Sequence, residues 1–340
     1  MPTNLVLVAT HGGALTADSF QAQSQPWPTP APTDLLVQVE GVGLNPVDDK
    51  LRASMPANAT PRVLGFDAVG TVVAVGDLVP DFTLGDRVIY AGTQKRPGSF
   101  QQVQAVRAAL CARAPRTLAT ATLAALPLVG LTAWELLFEK MGFTPAPGAN
   151  RGQSLLIING AGGVGTVMSQ LADWAGVTVL ATASPSHFDW LRTHGVTTPI
   201  DRHTDLVAAV AAAGHHFVTG VAILYAPEPY LSVACRLVAP FGHVGTLVTP
   251  AGPLAVTALK PKAASLDFEF MFAKSDYDVD VASQGHILSQ LVKLVAAGLV
   301  DPGVATELSP ISPANLVAGF TQLNAGHQHG KIVLTGPVHL

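Results

Sequence analysis

The sequence predicts an α/β protein, a doubly wound parallel sheet in the second half of the chain preceded by a β-rich segment. Three observations carry this. From about Ala119 onward, strand-like and helix-like segments alternate. A glycine turn, Asn159-Gly160-Ala161-Gly162-Gly163-Val164-Gly165, joins the first of those strands to the helix after it. Before Ala119 the pattern is short β-branched runs cut by Gly, Pro, Asp and Asn. Strands alternating with helices mean βαβ units and a parallel sheet.

Taken in order, Leu5–Ala9, Leu35–Val39, Val69–Val75 and Arg87–Tyr90 read as strands bounded by turn residues. Between the first two, Gln25-Pro26-Trp27-Pro28-Thr29-Pro30-Ala31-Pro32 is extended, because proline fixes φ and turns the residue before it away from helix. It reads as a stiff loop between strands, with a partner-recognition motif as the alternative. Ala119–Ala125 and Leu131–Phe138 read as helices broken at Pro127, and residues 144–152 as an exposed loop. Strands follow at Leu155–Asn159, Val177–Ala183, Pro199–Asp201, Val221–Tyr225, Val244–Val248 and Leu266–Phe272. Helices at Val164–Ala175, His187–Thr193, Asp205–Ala213 and Pro229–Leu237 lie between them. Six such strands fit a doubly wound nucleotide-binding fold. The tail holds amphipathic helices at Gly285–Ala297 and Pro313–Asn324 and a closing strand at Lys331–Thr335.

Composition narrows the function. A chain of 340 residues suits about two domains at roughly 150 residues each. Charged residues make up 12%, about half the ~25% usual in soluble proteins, and the net charge of −4 leaves no basic footprint for nucleic acid. With 49% hydrophobic residues the chain is not of the disordered class. Mean hydropathy is +0.38, so a membrane has to be considered. The apolar runs Leu206–Ala213 and Leu155–Ile158 fall far short of the roughly 20 residues of a spanning helix. The N-terminal residues lack the basic region and long apolar core of a signal peptide. Cys111 and Cys235 stand too far apart for a Cys-x-x-Cys zinc motif, and two cysteines make no disulfide framework. The expectation is a soluble, cytoplasmic protein.

The glycine turn is the chemistry-bearing motif. It satisfies G-x-G-x-x-G through Gly160, Gly162 and Gly165, after a strand and at the start of a helix. Gly160 allows the tight turn, Gly162 lets a pyrophosphate approach the backbone, and Gly165 lets helix and strand pack closely. Gly163 and Val164 complete the turn, and the helix N-terminus offers N–H groups and about half a positive charge to phosphates. A structural turn is the rival reading, and the βαβ context favours the dinucleotide. An NAD site usually carries an acid about 20 residues on, for the ribose 2′-OH. Here the second strand ends Ala181-Thr182-Ala183-Ser184-Pro185-Ser186-His187, with no acid before Asp189. Ser184 and His187 can hydrogen-bond a 2′-phosphate, and Arg202 can pair with it unless it is simply a surface charge. NADP(H) is therefore expected over NAD(H).

Five segments, in order, carry a family resemblance. They are Gly43-Leu44-Asn45-Pro46-Val47-Asp48-Asp49-Lys50, Gly65-Phe66-Asp67-Ala68-Val69-Gly70-Thr71-Val72, Gly85-Asp86-Arg87-Val88, Leu126–Trp134 and the glycine turn. Together they resemble the medium-chain dehydrogenase/reductase superfamily. Asn-Pro-Val-Asp-x-Lys is similar to its zinc-independent quinone oxidoreductase and alkenal/enone reductase branch. Leu266–Ser275 and Gly330-Lys331-Ile332-Val333-Leu334 resemble the subgroup labelled "zinc-type alcohol dehydrogenase-like". The resemblance covers nearly the whole chain. It implies a GroES-like β-barrel domain, residues 1–126 with 276–340, and a Rossmann domain, residues 127–275. A substrate cleft between them and a homodimer through the sixth strand, near Leu266–Phe272, are also implied.

The zinc label meets the residues badly. Where zinc-bearing relatives have a Cys ligand this chain has Asn45, and their Gly-His-Glu appears as Gly65-Phe66-Asp67. Tyr90–Val106 has no cysteine for a structural zinc, and a catalytic zinc needs about three protein ligands. No metal is therefore expected. Hydride transfer without a Lewis acid suits a small hydrophobic quinone or α,β-unsaturated carbonyl, whose charge delocalises and then needs a hydrogen bond and a proton. By the resemblance, Asn45 lies beside the nicotinamide, Lys50 binds ribose or steadies the oxyanion, and Thr132, Phe270 and Lys331 contact cofactor. Tyr90 is a candidate hydroxyl for the cleft, or a strand residue packed by its ring. His215-His216 and His327-x-His329 read as solvated surface. A non-catalytic NADPH-binding redox sensor or structural protein, and an NADP-dependent alcohol dehydrogenase, are the alternative functions. No nucleic-acid or membrane partner is expected.

Overall fold

The β-branched runs at the front of the chain pair into two sheets. In the computed structural model, which describes residues 2–326 and 328–340, the strands in chain order are β1 (Thr3–Ala9), β2 (Phe20–Pro26), β3 (Asp34–Gly43), β4 (Arg62–Val63), β5 (Ala68–Val75), β6 (Arg87–Tyr90), β7 (Val103–Arg107) and β8 (Ala112–Arg113). Then follow β9 (Ser154–Ile158), β10 (Thr178–Ala183), β11 (Thr198–Asp201), β12 (Val218–Ile223), β13 (Val238–Thr246) and β14 (Ser265–Phe268). The chain closes with β15 (Val304–Leu308) and β16 (Lys331–Thr335). Four helices matter below: α1 (Pro46–Ala53), α2 (Thr120–Ala125), α3 (Pro127–Trp134) and α4 (Gly163–Trp174).

These elements form two units. The first runs to Leu128 and takes back Phe272–Ala296 and Pro302–Leu340. The second is Val129–Met271 with a short returning segment, Ala297–Asp301. That segment is tied down by Gln170, whose amide donates to the Asp301 carbonyl at 2.7 Å and accepts from the Asp301 N–H at 2.8 Å.

In the first unit β1 is central to a three-stranded sheet, and a second sheet runs β15-β16-β3-β5-β6-β8 with β7 also on β3. Their apolar faces enclose one core. Phe20, Phe100 and Phe320, each 2% exposed or less, meet there with ring centroids 5.7–6.2 Å apart. Those rings come from three distant stretches of chain, so the core binds both ends of the sequence into one unit. Fully buried aromatics of this kind cost about 3–5 kcal/mol when cut to alanine.

The second unit is a six-stranded parallel sheet in the order β11-β10-β9-β12-β13-β14. This is the doubly wound arrangement, with the strand order reversing on either side of β9. The chain is thus a mixed α/β protein with a Rossmann-like sheet domain and a separate sheet domain of GroES-like type.

Local departures have local causes. Pro127 does not break a helix so much as begin one, since its missing N–H is harmless in a first turn. The helix expected at Leu131–Phe138 is therefore α3, and it passes into a π turn at Glu135–Lys140. Strand β2 went unread because most of its residues are polar and exposed; seven cross-strand pairs with β1 define it instead. Among the described residues no helix is long and apolar enough to cross a membrane.

Candidate active site

The glycine turn sits where β9 ends. Asn159 takes φ 68°, a left-handed conformation that asparagine tolerates better than most residues, and so ends the strand one residue earlier than expected. Its N–H donates to Thr182 Oγ1 at 3.0 Å, and the Gly160 N–H donates to the Thr182 carbonyl at 2.9 Å. The turn is thereby stitched to β10. A Cβ on Gly160 would stand 2.6 Å from the Ala181 Cβ, and one on Gly165 would stand 2.5 Å from the Gly160 carbonyl oxygen. Both glycines are required by packing. Gly162 differs: a Cβ there would meet only Asn159, at 3.2 Å or more. Gly162 is also the N-cap of α4, and no side chain caps that helix end. The contact is with a side-chain amide that can give, and the N–H groups of Gly163, Val164 and Gly165 open α4 beside it. These residues fit the pyrophosphate of a dinucleotide.

The end of β10 is equally specific. Ser184 is partly buried at the start of a 3₁₀ turn that includes His187. The Arg202 N–H donates to the Ala183 carbonyl at 3.0 Å, which brings Arg202, just past β11, beside that strand end. The Arg202 side chain is exposed, its Nε donating to His203 at 3.2 Å. The first acid of this stretch, Asp189, is spent on Arg192 at 2.9 Å and its side chain is 98% exposed. A 2′-phosphate would meet hydroxyl and guanidinium here; Asp201, paired with Ala183 at the end of β11, accepts the His203 N–H at 3.0 Å.

In the first unit the Asn45 region is a buried polar cluster. Asn45 is the N-cap of α1, and its N–H donates to the Asp48 carboxylate at 2.8 Å. Its side chain points elsewhere: Nδ2 donates to Asp67 Oδ2 at 2.9 Å, and Oδ1 accepts from Lys331 Nζ at 2.6 Å. Lys331 also donates to the Leu44 carbonyl at 2.9 Å and to Asp67 Oδ2 at 3.0 Å. The other Asp67 oxygen accepts from the Leu128 N–H at 2.6 Å. All four polar side chains are 4% exposed or less. Burial, helped by the Asp67 carboxylate, pushes Asp48 up to about 8 against the pull of the Asn45 N–H and Lys331.

Two sequence expectations change here. Lys331 spends its three N–H donors inside the protein and has none left for a cofactor phosphate. Tyr90 is 0% exposed in the barrel core, near Cys111, and its hydroxyl reaches no partner. Such a ring is a packing residue, so Tyr90 leaves the catalytic set. Lys50 is exposed on α1, apart from the buried cluster. Of the remaining candidates, Thr132 is buried on α3 at 5% exposure, and Phe270, just past β14, is 51% exposed. His215 and His216 lie in a loop with at least one half-exposed partner, His216 against Phe217, while His327 lies outside the described residues.

The residues do not fit a zinc ion. Phe66, where a His ligand would stand, is 4% exposed and packs its ring on Phe272 at 4.5 Å. The Asp67 carboxylate already faces an ammonium. Among the described residues no group of three or more His, Cys, Asp or Glu is placed to hold a metal ion.

Sequence reading missed a second acid cluster. Glu135, in the π turn, and Glu269, after β14, are 2% and 4% exposed and hydrogen-bonded to each other. Burial and the neighbouring Glu135 carboxyl hold Glu269 well above the ordinary glutamate range; Lys140 opposes this and Glu139 adds to it. Only the approach of two distant segments reveals the pair.

Comparison with known proteins agrees with this architecture. Residues 31–130 match the alcohol dehydrogenase GroES-like domain, and residues 194–334 match the zinc-binding dehydrogenase family. A "zinc-type alcohol dehydrogenase-like protein" of Staphylococcus aureus is 36% identical over 93% of this chain and 94% of its own. An alcohol dehydrogenase superfamily protein from Novosphingobium aromaticivorans has a solved structure with 31% identity and a TM-score of 0.86, covering 98% of this chain and 99% of the other. The 2-methylene-furan-3-one reductase of Solanum lycopersicum is 29% identical, covering 88% of this chain and 71% of its own. The chain belongs to the medium-chain dehydrogenase/reductase superfamily, among its zinc-type alcohol dehydrogenase-like members, and is an oxidoreductase.

Proposed function

We propose that the protein is an NADPH-dependent, zinc-free reductase of quinones or α,β-unsaturated carbonyls. One observation carries the reading: where a metal-dependent dehydrogenase needs ligands, this chain has a buried Lys331–Asp67 ion pair at 3.0 Å and a phenylalanine. An alcohol/ketone couple needs a metal or an acid to carry charge on its oxygen. A conjugated acceptor spreads that charge over several atoms and needs less. The Solanum relative's name specifies such an acceptor, an alkene conjugated to a ketone.

The chain's own groups take the following parts. Gly162 and the N–H groups opening α4 hold the pyrophosphate, with Gly160 and Gly165 keeping the turn tight. Ser184, His187 and Arg202 hold the 2′-phosphate and favour NADPH over NADH. When bound, the reduced nicotinamide supplies a hydride. By the family resemblance Asn45, Thr132 and Phe270 contact it, and Lys50, exposed on α1, donates a hydrogen bond to the developing oxyanion. Two copies pair through the edge strand β14, where Phe268 and Phe270 are 53% and 51% exposed.

The test is a panel of quinones, enals and alcohols with NADPH or NADP as appropriate, with and without a chelator. The reading expects NADPH consumption with quinones or enals that survives chelation. Alcohol-driven reduction of NADP that the chelator abolishes would replace it with an alcohol dehydrogenase. Binding without turnover would leave a sensor.

A further inference from the structure

The family match is to zinc-binding dehydrogenases, yet Asn45 and Asp67, at positions where the resemblance puts metal ligands, hold a side-chain cation. Lys331 opens β16 and is 4% exposed. An ammonium has three N–H donors, and Lys331 finds three oxygens: Leu44 O at 2.9 Å, Asn45 Oδ1 at 2.6 Å and Asp67 Oδ2 at 3.0 Å. The oxygens come from the turn between β3 and α1 and from the segment before β5, so one cation ties three parts of the barrel together. A buried ammonium is tolerated only when paired and fully hydrogen-bonded, and here it is.

The consequence falls on Asn45. With Oδ1 on the ammonium and Nδ2 on Asp67, its carboxamide has one orientation; flipped, it would set an N–H against Lys331 and an oxygen against a carboxylate. Asp48 fixes the backbone of the same residue through its N–H.

We propose that Lys331 is a built-in cation standing in place of a metal ion, a positioning residue that with Asp67 as counter-ion locks the Asn45 carboxamide and the first turn of α1 for hydride transfer. The proposal rests on the reading above, in which Asn45 flanks the nicotinamide. Lys331 itself touches neither cofactor nor substrate.

The test compares the wild type with Lys331→Ala, Lys331→Arg and the neutral pair Lys331→Met with Asp67→Asn. Three quantities are read: NADPH dissociation constant by fluorescence, kcat with a quinone or enone, and Tm with and without added propylammonium. Misplacing a group near the reacting atoms costs up to about 100-fold, so Lys331→Ala is expected to lower kcat by about 10- to 100-fold while the NADPH constant moves less than about threefold. Propylammonium, which refills the cation site, should raise the Tm of Lys331→Ala and recover part of its kcat; tetramethylammonium, which has no N–H, should do neither. If Lys331→Ala does not fold, the neutral pair decides: a folded pair with kcat still depressed supports the positioning role, and wild-type kcat in that pair overturns it. A rise in the NADPH constant of about tenfold with kcat unchanged makes Lys331 a nucleotide ligand and also overturns it. The amine effect on Tm needs no nucleotide. Should the wild type turn over nothing while propylammonium still stabilises Lys331→Ala, the proposed function fails and the internal cation stands.

Discussion

Gly162→Ala separates a nucleotide seat from a structural turn. Gly162 has φ −70°, which alanine adopts freely, and the added methyl would meet only Asn159, at 3.2 Å or more. The cost to the fold is that of exchanging a glycine N-cap for alanine, about 1 kcal/mol or less. The methyl would project where the pyrophosphate needs the backbone. Pushing that group away by roughly an ångström loses one charge-assisted hydrogen bond of about 1.5–3 kcal/mol, hence about 10- to 100-fold in NADPH affinity. Gly165→Ala is the control of opposite kind. Its methyl would stand 2.5 Å from the Gly160 carbonyl oxygen, backbone that yields only by moving the turn, and the expected loss is about 1–3 kcal/mol of stability. Urea unfolding and NADPH fluorescence titration on both variants give the two numbers. If Gly162→Ala binds NADPH within about twofold of wild type while folding normally, the pyrophosphate does not lie on this turn and the reasoning is refuted.

Other expectations follow from the same geometry. Arg202→Ala should raise the KM for NADPH by about tenfold and leave that for NADH nearly unchanged, since only a 2′-phosphate repays the guanidinium; equal effects on both would remove the discrimination. Lys50→Met should lower kcat by on the order of 100-fold, the usual loss for one oxyanion donor, and a change under about threefold would end that role. Glu269 is held above its ordinary value of 4.5 by burial beside Glu135, so the native state keeps a proton that the unfolded chain gives up. That makes the native state lose stability as pH rises from the unfolded value toward the higher folded one. Tm should therefore fall between about pH 6 and pH 8.5, and Glu269→Gln, which needs no proton, should flatten the slope; an unchanged slope would deny the shared proton.

The glycine turn was legible because its meaning is local. Strand, Gly160, Gly162, Gly165 and helix follow one another within a dozen residues, and the structure moves the strand end by a single residue, at Asn159. The Lys331–Asp67 pair was not, since its partners are 264 residues apart and neither residue type announces burial. Tyr90 stayed open between cleft and core because all four residues of β6 are buried, so no alternation marks which face meets the core. Strand β2 shows the complementary limit: its pairing with β1, rather than any apolar pattern of its own, makes it a strand. The π turn at Glu135–Lys140 brings Glu135 to Glu269, an encounter that depends on how α3 ends beside β14.

The most direct test of the account is a crystal structure of the protein grown with NADPH. The account predicts density for the pyrophosphate against Gly162 and the start of α4, with the 2′-phosphate within hydrogen-bonding distance of Ser184 or Arg202. An empty turn under saturating NADPH, or a nucleotide anchored elsewhere in the protein, would contradict it.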